Sequence, residues 1–177
     1  MKFLRPMDYN DLKWLMVERN KPRIMRWFRQ SLPLTMKDQA DWWINLKSTD
    51  KYFIIADRNL SPAGFCCLYK HDKYHKSAEF SIFTVEDTNL GYFAMKELLD
   101  YGFNTMGLNR IYSDVLEGNP ALKLYEHLGF KNEGCMRKMY FKDGKYQDSM
   151  IIGILKEDYE SLGCRNGVNR EASVSNT

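Results

Sequence analysis

Three groups of residues have side chains suited to moving protons or holding anions. The first lies in the stretch Asn109 to Phe130, NRIYSDVLEGNPALKLYEHLGF, where the phenol Tyr125 follows the pair Asn119-Pro120. A phenol facing a site can protonate a departing anion, although from spacing alone a half-buried core aromatic is the commoner fate of a helical Tyr. The second is Glu79 in Ala78-Glu79-Phe80. A carboxylate on a central strand can accept a proton near neutral pH, or close a salt bridge with a neighbouring Lys or Arg. The third is Arg19, Arg23 and Arg26 at helical spacing, with Arg29 a turn further on, beside Trp27, Phe28, Trp42 and Trp43. Guanidinium groups among aromatic rings would receive a phosphate or carboxylate and stack a base or sugar; the plainer alternative is a solvated basic face over an aromatic core.

These groups need elements to hold them. Alternation at Ile111, Ser113 and Val115 predicts a strand, broken by Glu117-Gly118-Asn119-Pro120. Asn119 suits an N-cap and Pro120 the first helical position, so Ala121 to Leu128 should form a helix that carries Tyr125 and stops at Gly129. Upstream, Phe3-Leu4 reads as a short strand and Asp8 to Asp11 as the cap of a helix through Glu18 or Arg19. Helices are expected near Arg23 to Arg29 and from Thr35 to Leu46, the second with Thr35 as N-cap and Asp38 at N3. Tyr52 to Asp57 and Phe65 to Tyr69 read as a hairpin, and Ala78 to Val85 as a further strand. Leu90 to Asn104 should be a core-facing helix, and Glu133 to Phe141 with Tyr146 to Leu155 a hairpin around Asp143-Gly144.

Composition narrows the class. At 177 residues the chain has the size of one domain, expected over 1–162, with a polar, disordered tail over 163–177. No long uncharged apolar run is present, and Pro6 and Asp8 interrupt the N-terminal apolar residues, so neither a membrane partner nor a signal peptide is expected and cytoplasm is the expected compartment. Cys66, Cys67, Cys135 and Cys164 lack a secreted-protein framework and read as free thiols. Cys67, His71 and His75 match no common zinc spacing, and no metal is expected. A net charge of +3 argues against nucleic acid and is compatible with phosphate-bearing small ligands.

The element order and the run from Asn119 through Tyr125 to Gly129-Phe130 resemble the GNAT superfamily of acyl-CoA N-acyltransferases. Within it, Glu18-Arg19-Asn20-Lys21-Pro22, Ala78-Glu79-Phe80 and Lys142 to Asp148 resemble the branch of ribosomal-protein N-terminal acetyltransferases and pseudaminic-acid-type UDP-amino-sugar N-acetyltransferases. The resemblance implies an α+β fold: a twisted, mostly antiparallel sheet of about seven strands, flanked by helices, with a parallel pair splayed at the cofactor site.

It also implies residue roles. Phe83, Thr84 and Val85 would pair with the pantetheine of acetyl-CoA, Asn89, Leu90, Gly91 and Tyr92 would hold its pyrophosphate, and Asn119 would contact pantetheine. Glu86 and Asn89 depart from the family's phosphate loop, where Gln or Arg and a Gly are usual, and Asn89 is expected to keep its left-handed turn. A neutral amine would attack the thioester, an amide of the Phe83 to Val85 strand would steady the oxyanion, Tyr125 would protonate the thiolate, and Glu79 would take the amine's proton. The implied partners are acetyl-CoA and a primary amine, a nucleotide-linked amino sugar first, bound through Arg19, Arg23 and Arg26; a homodimer is left open. The alternatives are a protein N-terminus, a small amine such as a polyamine or antibiotic, or a catalytically silent acyl-CoA-binding module.

Overall fold

A computed structural model of the chain describes residues 3–85 and 89–162. In chain order its strands are β1 (Leu4–Pro6), β2 (Lys51–Ala56), β3 (Pro62–Asp72), β4 (Ser77–Thr84), β5 (Arg110–Leu116), β6 (Lys131–Lys142) and β7 (Lys145–Leu155). Its helices are α1 (Asp11–Arg19), α2 (Pro22–Met25), α3 (Met36–Ile44), α4 (Leu90–Asp100) and α5 (Ala121–His127), and residues 156–162 are also helical. The strands form one sheet in the order β1-β2-β3-β4-β5-β7-β6. Every neighbouring pair is antiparallel except β4 with β5, which run parallel and meet only at Ser77↔Arg110, Ala78↔Ile111 and Glu79↔Tyr112. Beyond Glu79 the two strands part, as expected of the α+β arrangement. Glu86 and the 163–177 segment expected to be a disordered tail lie outside the described residues.

Local chemistry accounts for most boundaries. Thr35 Oγ1 accepts the Asp38 amide at 3.2 Å while Asp38 returns a carboxylate oxygen to the Thr35 amide at 2.7 Å, the reciprocal cap that starts α3. The β6–β7 hairpin turns on Asp143 (φ 51°) and Gly144 (φ 77°), the paired positive angles that match strand twist. Along β5, Ile111, Ser113 and Val115 are buried and alternate with the less buried Arg110, Tyr112 and Asp114, as their spacing predicts.

Two helices depart from expectation. The helix expected over Arg23 to Arg29 stops at Met25, because the buried Lys142 ammonium bonds the carbonyls of Met25, Phe28 and Gln30 and holds the following residues in an irregular turn. The long central helix leaves α geometry at Asp100 and closes with a π-helical turn, Tyr101–Thr105. There Gly102 presses so close to β5 that an added Cβ would lie 2.7 Å from Ile111 Cδ1, and its carbonyl takes the Leu108 amide at 3.0 Å.

Alternation in β4 separates two cores. Ala78, Phe80 and Ile82 face the cluster built with Leu98 and Phe103, whereas Phe83 faces the cluster built with Leu15, Ile24 and Phe65. Each fully buried large side chain, such as Phe80 or Phe103, contributes about 1.5–3 kcal/mol through the area it removes from water. The parting of β4 and β5 therefore opens a passage between two packed layers.

Candidate active site

A cavity of about 680 Å³ occupies that passage. Asn119, Tyr125 and Tyr92 line it on one side of the sheet, and Arg19, Arg23 and Arg29 on the other. The backbone of β4 forms its wall. Val85 donates its amide to Ala63 on the β3 side at 2.8 Å, and antiparallel ladders alternate, so Phe83 also bonds toward β3 while Ile82 and Thr84 turn their amides and carbonyls toward the gap. This corrects the expectation for Phe83 and Val85: of the three residues expected to offer backbone groups, Thr84 does, joined by Ile82, and Val85 does not line the cavity.

The start of α4 faces the same space. Asn89, Gly91 and Tyr92 line the cavity, and Leu90 does not. Asn89 has helical angles (φ −62°, ψ 0°), so the left-handed turn expected there is absent. No acidic residue stands in the first turn of α4. A Cβ on Gly91 would sit 3.6 Å from Thr84 Cγ2, an ordinary contact, so packing does not demand glycine; its effect is to put no side chain at that position toward the cavity. An exposed helix N-terminus of this kind suits an anion.

Asn119 and Tyr125 are fixed by the ends of α5. Pro120 already has helical angles, and Asn119 Oδ1 accepts the Ala121 amide at 3.0 Å, so Asn119 caps the helix and its side-chain amide nitrogen is left to face the cavity. At the other end Gly129 (φ +90°) donates to Glu126 O at 3.0 Å and Phe130 to Tyr125 O at 3.0 Å, the paired bonds that terminate a helix through glycine. Tyr125 is thereby held against Phe80 and Phe130, with ring centroids 5.1 and 5.7 Å away. Burial pushes its phenol well above the usual range, so the proton stays on at neutral pH. Among the described residues no group hydrogen-bonds its hydroxyl.

Glu79 is buried but does not line the cavity. Its oxygens accept from Arg29, from the Tyr69 hydroxyl and, at 2.6 Å, from Lys70. The carboxylate expected to meet the reacting amine is thus held in the salt-bridged alternative and reaches the cavity only through its partners Tyr69 and Arg29. Arg29 also bonds Asp114, which lines the cavity and accepts from Tyr140 OH at 2.7 Å and Ser149 Oγ at 3.0 Å. Burial opposes ionisation of Asp114, but the Tyr140 bond, the Arg29 charge and the Ser149 bond together hold its carboxyl below the usual range. Sequence reasoning noted Arg29 without giving it a role and missed Asp114, Tyr69 and Lys142. The alternation of β5 was the available sign for Asp114, a charge next to two buried positions.

The arginines separate. Arg19 and Arg23 share the main cavity, whereas Arg26 stacks over Trp27 at 4.9 Å and lines a second cavity of about 400 Å³ with Asp143, Asp148 and Tyr146. Among the described residues no group of three His, Cys, Asp or Glu side chains could hold a metal ion, and no helix is long and apolar enough to cross a membrane.

A phenol, a helix N-terminus and an open strand edge meeting in the gap of a parted parallel pair define the frame of an acyltransferase. The chain belongs to the GNAT acetyltransferase family, whose domain matches residues 3–131, and it is an N-acetyltransferase. It is 30% identical over 164 residues to the spermidine N(1)-acetyltransferase of Vibrio cholerae, with 88% of this chain and 94% of that protein covered. The Escherichia coli K12 spermidine N(1)-acetyltransferase is 28% identical over 163 residues, covering 88% and 87%. The crystal structure of the Vibrio cholerae spermidine N-acetyltransferase in complex with CoA and spermine superimposes with a TM-score of 0.83 at 26% identity, over 88% of this chain and 96% of that one. These likenesses correct the narrower resemblance to the ribosomal-protein and pseudaminic-acid-type branch: short motifs shared across the superfamily carried that assignment, and whole-chain similarity runs to small-amine acetyltransferases.

Proposed function

We propose that the protein transfers acetyl from acetyl-CoA to the primary amine of a small molecule by direct attack. The observation that carries this reading is the convergence of Tyr125, Asn119 and the α4 N-terminus on one cavity in the β4–β5 gap. Pantetheine lies along β4 and bonds the outward backbone groups of Ile82 and Thr84, with the Asn119 amide opposite; amides at the start of α4, those of Asn89, Gly91 and Tyr92, hold the pyrophosphate. As the neutral amine attacks the thioester carbonyl, its oxygen becomes anionic and takes an amide of β4; when the C–S bond breaks, Tyr125 gives its proton to the thiolate sulfur. An amine arriving as ammonium first loses a proton, and Glu79 serves as acceptor at one remove, through the Tyr69 hydroxyl that donates to it.

The polyamine reading has support of its own in the similarity to spermidine N(1)-acetyltransferases over nearly the whole chain. Thiol release from acetyl-CoA, measured against spermidine, amino acids, amino sugars, a nucleotide-linked amino sugar and peptides with free N-termini, tests both. Turnover of small amines and not of peptides is the expected result; no thiol release with any amine would leave only an acyl-CoA-binding module.

A further inference from the structure

We infer that the acceptor carries an anionic group, a phosphate or a carboxylate, and that Arg19 binds it. The inference rests on the acetyltransferase reading above and narrows its acceptor. Arg19 is the last residue of α1 and lines the cavity on the side away from Tyr125. Its guanidinium lies over the Phe28 ring at 5.1 Å, and its Nε is buried with no hydrogen-bond partner. Among the described residues no carboxylate pairs with it. The other two cavity arginines are engaged: Arg29 is shared by Glu79 and Asp114, and Arg23 reaches Glu18 at 3.8 Å.

The ionisable neighbours of Arg19 do not neutralise it. Burial pushes up both the Cys67 thiol and the Tyr69 phenol, so each stays uncharged at neutral pH, and burial likewise works against the charged form of Arg19. A desolvated guanidinium without a counter-charge is destabilising, and an anionic ligand in the cavity supplies the missing partner through charge-assisted bonds. Among the described residues a polycation has no comparable place. The one carboxylate among the described residues lining the cavity, Asp114, already accepts from Arg29, Tyr140 and Ser149. Spermidine would therefore bring positive charge to an unpaired guanidinium.

Matched amines test this with the full chain: glucosamine against glucosamine 6-phosphate, and ethanolamine against phosphoethanolamine, with spermidine as the cationic comparison. Thiol release should favour a phosphorylated member by about ten- to a hundredfold in kcat/KM, Arg19→Met should abolish that preference with the acetyl-CoA KM unchanged, and Arg19→Lys should restore part of it. A second arm reads the anion site without catalysis: with CoA saturating, so that its own phosphate sites are filled, inorganic phosphate should raise the melting temperature of the parent above that in chloride of equal ionic strength, and not that of Arg19→Met. If no amine is acetylated, the acetyltransferase reading fails while this melting shift still decides the anion site. Equal kcat/KM within each pair together with no Arg19-dependent shift, or efficient spermidine turnover indifferent to Arg19→Met, would overturn the inference.

Discussion

Glu79 on β4 and Asp114 on β5 stand on the two strands that part, and a single guanidinium, that of Arg29, bonds both. Where the backbone ladder between these strands ends at Glu79↔Tyr112, the side-chain bridge takes over. The sheet is thus held across its opening by charge rather than by amides, at the point where the cavity begins.

Removing the bridge should cost stability. In Arg29→Met the buried Glu79 and the half-buried Asp114 lose their shared cation, and a loss of about 2 kcal/mol is expected in urea unfolding, less than for a fully buried pair because the Arg29 side chain is 41% exposed. The pH dependence gives the sign. Asp114 titrates below its ordinary value of 3.8 in the folded chain, so its contribution is complete above that value and is lost as the pH falls through the folded pKa. Without Arg29 that acid loss should begin at higher pH.

Tyr125→Phe should lower kcat by roughly 10- to 1,000-fold and leave the dissociation constant of CoA nearly unchanged, since only the proton donor is removed. Because burial raises the phenol above its ordinary value of 10.0, the parent should show no alkaline limb from Tyr125 below that pH. Equal turnover in the variant would remove Tyr125 from the chemistry.

CoA should stabilise the fold by about 2.7 kcal/mol at a hundredfold excess over its dissociation constant. Gly91→Ala should keep most of this shift, because the added methyl meets Thr84 at an ordinary 3.6 Å, whereas Gly91→Glu should abolish it by placing a carboxylate at the helix end. A melting curve in which the two variants respond alike would detach the α4 N-terminus from the cofactor.

Lys142 ties β6 to the turn that carries Phe28 and Arg29, bonding three carbonyls, and among the described residues no carboxylate pairs with it. Lys142→Met leaves those carbonyls without their donor and should cost about 1–3 kcal/mol. It should also raise the acceptor KM while sparing that of acetyl-CoA, with partial rescue by Lys142→Arg. Steady-state kinetics in both substrates would separate this positioning role from a purely structural one, which would leave the acceptor KM where it was.

Local signals made much of this legible in the sequence. The Asp143-Gly144 turn, the Thr35–Asp38 cap and the Asn119-Pro120 entry to α5 are determined within a few residues, and each forms as its residue types predict. What was not legible depends on partners far along the chain. Lys142 stops the helix after Met25 from a distance of more than a hundred residues, and the choice between base and salt bridge for Glu79 turned on Arg29, which arrives from another layer. Which residues of β4 face the gap depended on strand register: one fixed bond, Val85 to Ala63, moves the outward groups from Phe83 to Ile82 and Thr84.

That register has a consequence for solvent exchange. Within β4 the amides directed at β3 are locked in a ladder, while those of Ile82 and Thr84 open onto the gap, so neighbouring residues of one strand should trade hydrogen for deuterium at unequal rates, with a period of two. A molecule lying along the gap and bonding that edge would act as the missing strand, and the alternation would fade to uniform protection as it bound.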